Sequence, residues 1–224
     1  MLYYKSMYVI DDFIGDVDFR TEATKSARVR KAILAKFEAR AEVATKELQK
    51  LLPNTSLDHS RESLVAIDAW LPQFLDSAVA DLPALPYSSV SRRDDGVWME
   101  GPSPFNALTP LIRSVFSDVF IYYFETLRHH FPKTTIAQAD GKSGNYWSSA
   151  GFPGYIGHPG CHGIRYGQLW VFLGRAADYA SRSLTKEVNP PDPIRPLGML
   201  LYEAFDRALK VAQEEELSRG DRNE

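Results

Sequence analysis

LTPLIRSVFSDVFIYYFETLRHHF, residues 108–131, is the stretch on which the fold turns. Leu111, Ile112, Val115, Phe116, Val119, Phe120, Ile121, Tyr123, Phe124 and Leu127 cover nearly the whole circumference of a helix with a 3.6-residue period. A helix apolar on every side has no face to offer water, so it belongs in the middle of its fold. One polar stripe interrupts it: Asp118, Tyr122, Glu125 and His129 stand at i, i+4, i+7 and i+11 and project from one face. Such a stripe faces water, with Glu125 and His129 as a weak i,i+4 pair, or it faces a cleft in which carboxylates and a histidine hold a metal or move a proton. Glu125 and His129 are therefore the candidate catalytic residues.

Working outward, Thr21 to Leu52 carries Ile33, Leu34, Phe37, Ala41, Ala44, Leu48 and Leu51 at three- and four-residue steps among good helix formers, which predicts a long helix ended by Pro53-Asn54. Ser60 then stands as an N-cap ahead of Leu64, Ile67, Trp70 and Leu71, so a second helix is expected to about Leu71, kinked or restarted by Pro72. Residues 82–107 hold four prolines and no sustained period. This is a long connection and a place for a subdomain boundary within a single domain spanning 1–224. After the central helix, Thr134–Ala139 has strand character and is expected to pair with Tyr146–Ser149 across the turn residues 140–144. Gln168–Leu184 reads as helix, and Leu197 to Ala212 marks a last amphipathic helix with a polar tail fraying after Glu216. The fold class is mostly α (α+β): a helical domain around the apolar central helix, with a small β-hairpin and long irregular loops.

The 44% hydrophobic composition of the 224 residues supports a core that needs no staple, and the single cysteine excludes an internal disulfide, which suits a reducing cytoplasm. No basic leader precedes an apolar run at the N-terminus and no window is long and apolar enough for a membrane span, so a cytoplasmic location without membrane attachment is expected. A net charge of −3 argues against general affinity for nucleic acid. The basic stretch Lys25–Lys50, with eight Lys or Arg against three Glu, reads as a solvated helix face.

Gly141–Gly163, GKSGNYWSSAGFPGYIGHPGCHG, gathers seven of the fourteen glycines, the only cysteine and two of the five histidines. Glycines at this density allow positive φ and close approach, while Tyr146, Trp147, Phe152 and Tyr155 anchor the segment, so a packed irregular loop is expected. His158, Cys161 and His162 are candidate metal ligands, with zinc the metal they suit, but neither a CxxC pair nor an HExxH helix accompanies them. Phosphate-binding glycine loops and the GxSxG nucleophile turn are likewise missing from the sequence. Trp98, Trp147, Tyr155 and His158 are the candidate binding residues, as aromatic or polar anchors in irregular segments.

ESLVAIDAWL at 62–71, DVFIYYFETL at 118–127 and Trp147 together resemble small bacterial proteins of unassigned function that sit beside toxin genes as immunity-type partners. The resemblance covers about a third of the chain and rests on a Leu-Asp-x-Trp-Leu-like helix followed by a helix with Tyr122 or Tyr123 close to Glu125. The sequence departs from that pattern in lacking a glycine before the glutamate and in carrying the loop at 141–163, and the resemblance assigns no catalytic residue. The expected function is protein binding by surface complementarity through the loops 82–107 and 141–163, without a cofactor. The alternative is a metal-dependent enzyme that uses Glu125, His129, His158 and Cys161 around a divalent metal.

Overall fold

The computed structural model describes residues 27–80, 110–138, 153–159 and 199–220. In chain order its elements are α1 (Ala27–Gln49), α2 (Arg61–Ala80), α3 (Pro110–His130), β1 (Thr135–Gln138), β2 (Pro153–Ile156) and α4 (Leu201–Gly220). The described part is mostly helical with one two-stranded antiparallel hairpin, as the periodicity requires. The expected helix at 168–184 and the connection 82–107 lie outside the described residues.

α3 is the axis. Residues 114–124 of it are all buried, including Val115, Phe116, Val119, Phe120, Ile121 and Phe124. α1 packs along it with Phe37, Ala44 and Leu48 and also meets both strands, whereas α2 touches α3 and carries α4. Burying side chains of this size from both sides is the main favourable term in the fold.

Local chemistry sets the joins. At the end of α1, Gln49 Nε2 donates to the carbonyls of Leu52 and Thr55, both at 2.6 Å, and Oε1 accepts Leu57 N–H at 3.3 Å, so one side chain ties the turn that follows. Ser60 caps α2 as expected, its Oγ accepting the Ser63 amide at 3.2 Å. Pro72 neither stops nor restarts this helix, which continues to Ala80. Its missing N–H costs one bond, and Leu71 and Leu75, both buried on either side of it, offset the loss. α4 also outruns its expected fraying point and continues to Gly220.

The hairpin departs from expectation in its second strand. β1 pairs with Pro153–Ile156, in the register Thr135↔Ile156, Ile136↔Tyr155, Ala137↔Gly154 and Gln138↔Pro153, rather than with Tyr146–Ser149, which lies outside the described residues. Pro and Gly are poor strand formers. Tertiary packing overrides them: Tyr155 is 1% exposed, with its ring stacked on Phe124 at 5.0 Å and edge-on to Phe37 at 5.9 Å. The strand ends at Gly157, whose φ is +82° and whose absent Cβ would stand 2.3 Å from the Lys133 carbonyl oxygen, so only glycine closes the hairpin here.

Candidate functional site

The polar stripe of α3 is divided among neighbours instead of facing water as one strip. Asp118 is fully buried and is gripped by Arg40 of α1, with Nε 2.7 Å from Oδ1 and a second contact between Nη2 and Oδ2. The fork geometry of guanidinium matches a carboxylate, which is why an arginine serves in so dry a place. This pair fastens α1 to α3.

One turn along, Tyr122 organises the approach to α2. Ser63 Oγ donates to the Ser60 carbonyl at 2.6 Å, so its lone pair accepts the Tyr122 hydroxyl, also at 2.6 Å, and the phenol oxygen in turn accepts the His59 amide at 2.9 Å. Thr126 Oγ1 spends its hydrogen on the Tyr122 carbonyl at 2.8 Å. By elimination it accepts from His59 Nδ1–H at 3.3 Å, which places the neutral ring's lone pair on Nε2. His130 Nε2–H donates to the His59 carbonyl at 3.0 Å. His59 is half-buried in a left-handed conformation with φ of 62°. Burial first, and His129 second, hold its pKa below the ordinary histidine value. Burial likewise raises the Tyr122 phenol, so the network is that of a neutral hydroxyl.

Glu125 and His129 do not pair with each other. Glu125 Oε1 accepts the Tyr155 hydroxyl at 2.9 Å and lies 3.4 Å from Arg128 Nη1, while the exposed His129 stacks on His59 with ring centroids 5.7 Å apart. Burial, and the Glu125 carboxylate after it, push the Tyr155 phenol well above its ordinary range, so Tyr155 stays a hydrogen-bond donor. Tyr155, expected as a surface anchor, is a core residue. His158 is half-buried near Phe124, 5.6 Å between centroids, with Nδ1 3.1 Å from the Pro159 carbonyl.

A third polar group joins α2 to α4. Asp68, only 7% exposed, accepts the Tyr202 amide at 3.1 Å at the start of α4, and its other oxygen has no hydrogen-bond partner among the described residues. Desolvation pushes its pKa up to about 6, against the pull of the Leu201 and Tyr202 amides. Nearby, Arg61 grips Asp206 through two 2.8 Å bonds and lies 5.0 Å above the Tyr202 ring.

Of the sequence candidates, then, the structure brings Glu125 and Tyr155 together and keeps His158 on the neighbouring strand end. Trp98, Trp147, Cys161 and His162 lie outside the described residues. Among the described residues no group of three or more His, Cys, Asp or Glu is arranged to hold a metal ion, and no helix is long and apolar enough to cross a membrane. Sequence reading missed Arg40, His59, Ser63 and Asp68. Asp58-His59-Ser60 did carry a signal, since Asp58 Oδ1 accepts the Ser60 amide at 3.1 Å in a turn typical of Asx residues. Compared with protein families, with curated proteins and with solved structures, the chain matches none.

Proposed function

We propose that the protein is a binding protein of the immunity type, which acts by holding another protein against its surface. The observation that carries this reading is how the polar groups of α3 are used. Asp118 is engaged by Arg40, Tyr122 by Ser63 and the His59 amide, and Glu125 by Tyr155 and Arg128, so each joins one element to another rather than lining a shared cleft. Groups consumed in this way stiffen a scaffold. Rigid scaffolds carrying aromatic loops suit recognition, because little ordering entropy is lost when a partner docks. The contact anchors of this reading are Trp98 and Trp147, and among the described residues the exposed Arg128, His129 and His130 at the end of α3 would add polar contacts.

The test is complex formation between the purified chain and the product of a toxin gene beside its own, followed by titration calorimetry. A defined complex whose affinity falls at least about tenfold in Trp98→Ala or Trp147→Ala, with unchanged thermal stability, is the expected result. No complex, together with stoichiometric zinc in the purified protein, would replace this reading with the metal-dependent enzyme.

A further inference from the structure

We propose that His59 is an acid-sensitive latch that holds the turn before α2 against the end of α3. The His59 ring stacks on Tyr122 at 4.9 Å and 19°, and on His129 at 5.7 Å and 23°. Tyr122 and His129 are seven residues apart on α3, about 10.5 Å along its axis. That spacing matches an imidazole inserted between the two rings. Its backbone is equally committed: the N–H is held by the Tyr122 hydroxyl and the carbonyl by His130, and these bonds keep a non-glycine residue in a left-handed conformation it would otherwise leave.

This arrangement needs a proton on Nδ1 for the bond to Thr126 and asks nothing of Nε2. A second proton on Nε2 adds a charge to a half-buried ring stacked against another histidine, with His130 beside that one at 5.7 Å between centroids. The titratable groups acting on His59 are Glu125, His129 and His130 from α3 and Asp58 from its own turn. Glu125 and Asp58 favour the charged ring, but desolvation and His129 outweigh them. A base whose folded-state pKa is depressed contributes stability above its unfolded value, and that contribution is lost as pH falls toward the folded one. Acid therefore opens this corner, releasing the strained backbone and freeing the rings of His129 and His130. His130 also lies edge-on to Phe205 of α4 at 4.9 Å, so the effect reaches the fourth helix.

The experiment is hydrogen exchange of the full chain, followed amide by amide, with the His59 imidazole titrated by NMR in the same samples. Between about pH 7.5 and about pH 5.5, protection of the His59 and Ser63 amides is expected to fall roughly fivefold or more, while amides in the middle of α1 hold theirs. His59→Asn, which tolerates the left-handed backbone but does not titrate there, is expected to flatten the profile. His129→Asn is expected to move the midpoint upward, toward that of an unhindered histidine. Asp68 titrates close to the same range, so the Tyr202 amide is followed separately and Asp68→Asn should leave the His59 transition in place. Protection independent of pH, an unchanged profile in His59→Asn, or a His59 ring titrating at or above the ordinary histidine value would each overturn the latch. Should His59→Asn fail to fold, the wild-type ring titration and His129→Asn decide alone.

Discussion

The α1–α3 contact and the α2–α4 contact are each closed by an arginine that grips a carboxylate with two nitrogens, Arg40 on Asp118 and Arg61 on Asp206. Their surroundings differ. The side chains of the first pair are 10% and 0% exposed, those of the second 42% and 42%. In the first, little or no water reaches either partner, so removing one breaks a buried ion pair at the full cost of its desolvation. In the second, solvent screens the attraction and rehydrates whatever is released, so α4 is held chiefly by buried Leu201, Phe205 and Ala208 and by the Asp68 cap. The same pair of functional groups is a structural pin in one place and a surface ornament in the other. Only the medium distinguishes them.

The comparison is broken most directly at its buried end. Asp118→Ala is expected to cost about 3–5 kcal/mol in a urea titration, because it removes the buried carboxylate that the Arg40 guanidinium grips with two nitrogens. Replacing both partners, as Arg40→Met with Asp118→Leu, is expected to recover most of that loss. A double variant as unstable as the single one would show that the broken buried ion pair is not the cause. Next in size is Tyr122→Phe, which removes the hydroxyl that accepts the His59 amide and donates to Ser63. A loss of about 1–3 kcal/mol is expected by the same measurement.

Asp68 sharpens the comparison from the α2–α4 side through pH. Its folded-state pKa of about 6 lies above the unfolded value of 3.8, so between those values the native chain keeps a proton that the unfolded chain has released. The group therefore favours folding at the acid end, and that contribution is lost as pH rises through the window. Between pH 7 and about pH 5, the wild type is expected to gain about 1 kcal/mol relative to Asp68→Asn. A gap that widens in the opposite direction would mean that the carboxylate, not the acid, is the form α4 prefers. The smallest effect belongs to Arg61→Gln, for which the denaturation midpoint should stay close to that of the wild type and become indistinguishable from it at high salt.

The helices were legible because each carries its own repeating signal. Periodicity located α1, α2, α3 and α4, and Ser60 announced the start of α2 one residue ahead of it. The second strand was not legible, since Pro153-Gly154-Tyr155-Ile156 is a poor strand by composition and becomes one only when Tyr155 finds Phe124 and Phe37. The polar stripe shows the same division. Its spacing on one face could be read directly, but Asp118 meets an arginine 78 positions earlier in the chain and Tyr122 a serine 59 positions away, and no local pattern encodes either partner. His59 is the extreme case: a single histidine in a turn, with nothing in its neighbours to announce that two rings of α3 would enclose it.

Sequence alone thus determined that a helix apolar on all sides must run through the centre, because burying those side chains is the largest gain open to the chain and the periodicity leaves no other place for them. What only the tertiary structure decided is the fate of the polar groups on that helix. A carboxylate, a phenol and an imidazole take their meaning from how much water reaches them and which partner comes within about 3 Å. Both are properties of packing between segments that the sequence lists far apart.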